Sequence, residues 1–190
     1  MPIEPLVAHQ HAQDVFAGVL SAVTPEHMSW PTPCSEWVVR DLIEHVIAGN
    51  ERVVQRAGMA LDVGSRPSDL GAAHRASFAA AQAIFAAPDG LTRTFDLPIG
   101  QVSGLVFVRI RALDAFAHAW DLAQSVGQPT DLDPELATQL FESARQILRP
   151  DLRGPGKPFG FEQPSAATAP PATQLACFLG RQPAPASSLG

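Results

Sequence analysis

An all-α bundle is the fold class this chain predicts, and three observations predict it. Apolar residues recur at helical spacing in separate runs, Pro or Gly signals close most of those runs, and one short stretch carries β-type residues. A length of 190 residues suits a single domain with one substantial core. Hydrophobic residues at 46% against 17% charged fit a folded chain with an alanine-rich interior rather than a disordered one.

The elements follow in order. From Pro5 to Val23, the residues Ala8, Ala12, Val15, Phe16, Val19, Leu20 and Val23 make one apolar face, and Thr24-Pro25 ends the run. After the loop "SWPTPCSEW", Ser35 is placed to cap a second helix with Glu36 in its first turn. That helix runs to about Gly58 and packs through Val39, Leu42, Ile43, Val46, Val53 and Ala57. Ser68-Asp69 starts a third helix that Pro88 stops after Ala87. "LTRTFDLPIG", between Pro88 and Gly104, reads as a short extended segment or hairpin. A fourth helix runs from about Gly104 to Val126, where Gly127 and Pro129 supply the stop. Asp133-Pro134 then reads as cap and first residue of a fifth helix reaching about Leu148. Eight of the 18 prolines lie from Pro150 onward, which predicts an irregular extension, residues 151–190, packed on the bundle of residues 1–150. One helical piece near Ala172 to Gly180 is expected within it.

Several function classes start from a low prior. A net charge of -6 leaves no broad basic surface for phosphates, so no nucleic-acid partner is expected. Cys34 and Cys177 belong to no CxxC unit, which argues against a thiolate zinc site or a disulfide framework and fits a reducing cytoplasm. The first residues, MPIEPLVAHQHAQD, do not read as a signal peptide. The apolar stretch Gly104 to Ala123 carries Arg109, Arg111, Asp114, His118 and Asp121, too many charges for a membrane span.

That charged stretch is where chemistry is expected. In "DAFAHAWD", with Ser125 beyond it, Asp114, His118, Asp121 and Ser125 fall within roughly 60° of arc on a helix that is otherwise apolar all round. The polar line must therefore face something polar inside the protein. A carboxylate and an imidazole at i, i+4 are spaced to offer two ligands to one metal ion, and a third must then come from a neighbouring helix. His45, beside Val38 and Leu42 on the flank of the second helix's apolar face, is the candidate, with Gly49 leaving space one turn on. The set His45, Asp114 and His118 offers nitrogen and oxygen donors only, suited to zinc, nickel or ferrous iron with positions open for substrate. Taken by itself, the spacing also fits a hydrogen-bonded core pair, with Asp121 on a loop amide and Arg111 balancing charge, because D-x3-H arises easily by accident.

The same residues carry a resemblance. "PTPCSEWVVRDLIEHV" resembles the second-helix signature of the DinB/YfiT-like metal-binding bundles, in particular the N-terminal domain of mycothiol-dependent maleylpyruvate isomerase. "AHAWDLAQSVGQP" is similar to the H-x-WDLA segment of the actinobacterial subgroup, and "LACFLGRQP" to its C-terminal tail. The resemblance implies a DinB-like four-helix bundle holding a divalent metal, zinc as first choice, through His45, Asp114 and His118. It implies mycothiol or another low-molecular-weight thiol as cofactor. Asp114 stands where the isomerase uses glutamate, and no further catalytic domain is expected after Leu148, so a broader thiol-dependent transferase or isomerase is the expected activity.

Other residues take roles around that centre. Arg111 and Trp37 are candidates for substrate binding, although Arg111 also reads as the neutraliser of Asp114, and Trp37 and Trp120 as packing. Asp121 either orients a ligand histidine or bonds a backbone amide. Cys34 reads as a buried structural thiol, and His9, His11, His27 and His74 as surface or capping residues. The partners implied are a small-molecule thiol and an electrophilic substrate, with a homodimer compatible. Two other readings stand beside the enzyme: a small-ligand binding or sensing module, and a metal-free structural bundle.

Overall fold

The computed structural model describes residues 2–60, 67–148, 150–154, 156 and 159–183. Its helices are α1 (Pro5–Leu20), α2 (Val39–Arg56), α3 (Leu70–Ala86), α4 (Gly104–Ser125), α5 (Pro134–Ile147) and α6 (Pro171–Phe178). A hairpin of β1 (Thr94–Leu97) and β2 (Gly100–Ser103) joins α3 to α4, antiparallel with Phe95 opposite Val102. The all-α expectation holds, with the hairpin as its one extended piece.

Helices α1 to α4 form the bundle. In section α1 touches α4 and α3, and α2 touches the same two, so α1 lies diagonally opposite α2. Helix α4 is the hub: it is covered by α1 and α2 on one side and by α5 and α6 on the other. Its residues 111–113 and 115–123 are all buried. Phe95 roots the hairpin beneath this arrangement, 5.2 Å from the Phe107 ring and 6.2 Å from that of Phe85. Among the described residues no helix is long and apolar enough to cross a membrane.

Caps explain most boundaries. Asp69 accepts from the Ala72 amide at 2.7 Å, Ser103 from that of Val106 at 3.4 Å and Asp133 from that of Leu136 at 3.1 Å. Helix α2 departs from expectation, beginning at Val39 rather than after Ser35. The Thr32 hydroxyl bonds the Trp37 carbonyl at 2.9 Å, and Pro31 bridges to Val38, which keeps 31–38 a tight loop. Asp41, not Ser35, then serves the helix start by accepting from the Val38 amide at 3.1 Å. Helix α1 likewise stops at Leu20, short of Val23, and a 3-10 turn at Pro25–Ser29 follows. There His27 caps as expected, its Nδ1 taking the Thr24 amide at 3.1 Å.

Two histidines expected at the surface are instead core residues. His9 is 0% and His74 1% exposed. The reason is a buried polar network across α1, α2 and α3. Gln13 exchanges bonds with Asn50 at 2.9 and 3.2 Å, His74 Nε2 meets Gln13 Oε1 at 2.8 Å, and His9 bonds Gln82 at 2.7 Å. Side-chain amides thus partner both nitrogens of His9 and Nε2 of His74, while His74 Nδ1 is left without a hydrogen bond, and no carboxylate or second histidine at helical spacing marked these rings in the sequence.

Burial lowers both rings from 6.5 to about 4. A depressed imidazole means that the unfolded chain binds the extra protons first. Stability should therefore be complete above about pH 6.5 and decline as pH falls toward about 4, by up to about 1.4 kcal/mol per pH unit for each histidine. Urea unfolding at several pH values checks this. His74→Gln should roughly halve the slope over that window, and an unchanged slope would contradict the assignment.

Candidate metal centre

Helix α4 supplies two of the converging side chains because Asp114 and His118 are one turn apart on the face it turns toward α2. His45 comes from α2 across the gap. His45 Nε2 lies 3.6 Å and His118 Nε2 3.7 Å from the same oxygen, Asp114 Oδ1, and the two rings are 4.9 Å apart. Donor atoms of all three lie within 4.8 Å of one another. The aspartate arm therefore reaches both imidazoles. His118 keeps 7% side-chain exposure, whereas His45 and Asp114 each keep 27%, so the site opens to solvent on their side.

Each carboxylate has its own arginine. Arg111 Nη1 donates to Asp114 Oδ2 at 2.7 Å, which occupies that oxygen and leaves Oδ1 facing the imidazoles. Burial pushes the Asp114 carboxyl up, but Arg111, His118 and His45 more than offset it and hold it well below the usual carboxylate range. The guanidinium of Arg111 sits over Gly49, where a Cβ would lie 2.4 to 2.6 Å from it, and Nη2 reaches Asn50 Oδ1 at 3.3 Å. Gly49 does leave space, and Arg111 fills it.

Asp121 is fully buried and serves His118 from behind. His118 Nδ1 donates to Asp121 Oδ2 at 3.1 Å. An ionised carboxylate only accepts, so Nδ1 carries a proton and Nε2 is the ring nitrogen left to face Asp114. The Asp121 carboxylate thus lies on the His118 ring rather than on a backbone amide. Arg181 compensates its charge, donating from Nε at 3.2 Å and from Nη2 at 3.0 Å. Arg181 and Cys34 are the neighbours that the sequence did not single out for the site. Cys34 Sγ lies 3.6 Å from Asp121 Oδ2. Burial first, and the Asp121 charge second, push its thiol up to about 12, so it is no activated nucleophile.

Trp37 closes one wall, its ring 4.5 Å from that of His45 and 5.6 Å from that of His118. Trp120, by contrast, is core, with its indole N–H on Thr173 at 3.3 Å. Ser125, last on the polar line, bonds the Asp121 carbonyl of its own helix at 2.8 Å.

The geometry fits a small cation. Donors held about 2.0–2.1 Å from a tetrahedral zinc stand roughly 3.3–3.5 Å apart, close to the two spacings found. Those spacings exceed a hydrogen bond. With Nδ1 committed to Asp121, His118 Nε2 faces Asp114 Oδ1, and a shared cation fits between the neutral ring and the carboxylate.

A bundle with this donor set defines a class, and comparison with known proteins gives the family. The chain belongs to the mycothiol maleylpyruvate isomerase N-terminal domain family, which matches residues 9–123. It is 52% identical over 179 residues to uncharacterized proteins from two strains of Mycobacterium tuberculosis, with 94% of this chain and 98% of each relative covered. No solved structure matches it.

The Gly49 contact makes a direct prediction. Gly49→Ala displaces the guanidinium end of Arg111 from Asp114, and an overpacking cost of about 1–3 kcal/mol set against the roughly 1 kcal/mol Ala gains over Gly in a helix should leave a net loss of stability in chemical denaturation. Wild-type stability in that variant would show that the close approach has no structural weight.

Proposed function

We propose that the protein is a divalent-metal-dependent enzyme that uses a low-molecular-weight thiol of the mycothiol type against an electrophilic substrate, as a transferase or isomerase. The observation that carries this reading is the convergence of His118 Nε2 and His45 Nε2 on one carboxylate oxygen, Asp114 Oδ1. Family membership adds the thiol.

His45, Asp114 through Oδ1 and His118 through Nε2 would hold the metal, zinc in first place. Bound there, a divalent cation would supply Lewis acidity that lowers the pKa of an incoming thiol toward neutrality. The protein's own contribution is positional. Arg111 occupies one Asp114 oxygen, so the carboxylate presents a single donor and leaves coordination positions free. Asp121 fixes the His118 tautomer. Trp37, tilted 38° and 42° to the two imidazoles, offers an apolar wall to a substrate entering beside His45. With Arg111 committed to Asp114, Arg52, exposed on α2 one turn beyond Gly49 and close enough to feel the charges of Arg111 and Asp114, is a cation that would meet an anionic substrate.

One observation favours a second reading, a non-catalytic module that binds a small ligand: the Cys34 thiol beside the site is pushed up to about 12, which leaves no activated side-chain nucleophile there among the described residues. The test separates the two. Metal-loaded protein should consume a small thiol in the presence of a model electrophile, and His118→Ala should bring the rate to the uncatalysed background. Equal rates in wild type and variant would defeat the enzyme reading, and a tight thiol complex without turnover would favour the binding module.

A further inference from the structure

We infer that Arg181, from the tail beyond α6, is a positioning residue of the metal centre: it clamps Asp121 so that the His118 ring holds Nε2 toward His45 and Asp114. This rests on the metal reading above and deepens it, because Arg181 lies outside residues 9–123, the segment shared with the family.

The tail is built to deliver this side chain. Helix α6 ends in a two-bond C-terminal motif, with the Gly180 amide on the Cys177 carbonyl at 3.0 Å and the Arg181 amide on the Ala176 carbonyl at 3.0 Å. Gly180 takes φ +96, and a Cβ there would lie 2.6 Å from Gly160 Cα, so the position admits no other residue without strain. Arg181 therefore emerges at a set point above α4. Its Nη1 is held by the Leu179 carbonyl at 3.2 Å, while Nε and Nη2 take the two Asp121 oxygens. Such a two-toothed pairing fixes orientation as well as charge.

Asp121 itself has few other means of staying in place. It is 0% exposed, and besides Arg181 its carboxylate meets only His118 and the Cys34 thiol among the described residues. Without the guanidinium, only His118 and the Cys34 thiol hold the carboxylate, and an Asp121 free to turn no longer selects one tautomer of the imidazole. Outer partners of ligand histidines typically change metal affinity by about 10–100-fold when removed.

The test uses the full chain with zinc as the only added probe. Zinc affinity is measured at one pH by competition with a chromogenic chelator, for the wild type and for Arg181→Met, Arg181→Lys and Thr173→Val. Arg181→Met should bind about 10–100-fold more weakly. Arg181→Lys should recover part of the loss, since lysine keeps the charge without the parallel N–H pair. Thr173→Val removes the Trp120 bond that ties the same helix to α4, and should stay within about twofold of wild type because it leaves Asp121 untouched.

Nitrogen chemical shifts of the His118 ring in metal-free protein give the second readout: one Nδ1–H tautomer in the wild type, a mixture in Arg181→Met. Wild-type zinc affinity in Arg181→Met, an equal loss in Thr173→Val, or a single unchanged tautomer would each overturn the inference. Should Arg181→Met not fold, Arg181→Lys carries the test, with several-fold weaker binding expected and parity fatal. A wild type that binds no zinc defeats the metal reading, and the tautomer measurement then decides the role of Arg181 alone.

Discussion

Two ionised carboxylates lie on one face of a helix packed at the centre of the molecule, and the need to compensate them organises the rest. An uncompensated buried charge costs far more than a domain of this size can absorb. Asp114 is met by Arg111 from its own helix and Asp121 by Arg181 from the tail. Each pairing has a structural consequence. The Arg111 guanidinium needs room, which Gly49 on α2 leaves, and it needs a further acceptor, which Asn50 provides. The Arg181 guanidinium needs a path across the bundle, which the turn at Gly180 opens. Once both carboxylates are held, the imidazoles of His45 and His118 face an oxygen that no strong donor occupies.

Compensation also links the site to the core. Asn50 receives Arg111 and exchanges bonds with Gln13, which in turn holds His74 and His9. A polar line thus runs from the solvent-facing donors through the bundle axis to α3. Buried networks of this kind are costly when half satisfied and rigid when complete. This one joins α1, α2, α3 and α4 but leaves His74 Nδ1 and Arg111 Nε without a partner.

Much of this was legible in the sequence, for identifiable reasons. Helical periodicity and caps at Asp69 and Asp133 located the helices, because those signals are local. The i, i+4 spacing of Asp114 and His118, with His45 on an apolar flank, located the donor triangle, because helix geometry alone places those side chains. What escaped was non-local. Ser35 looked like a cap until Thr32 and the Pro31–Val38 bridge claimed the preceding loop. His9 and His74 looked like surface residues because their partners, Gln13 and Gln82, are neutral amides with no distinctive spacing. Arg181 lay within a quoted stretch, "LACFLGRQP", yet its pairing with a residue 60 positions earlier left no local mark. Gly before Arg at the end of an apolar helix was the one available signal.

The account stands or falls on whether His45, Asp114 and His118 hold one ion between them. Elemental analysis of protein purified without a histidine tag measures that most directly. The account predicts about one divalent ion per chain in the wild type, lost when Asp114 and His118 are both replaced by alanine in a protein that remains helical. A wild type that carries no more metal than that double variant would contradict it.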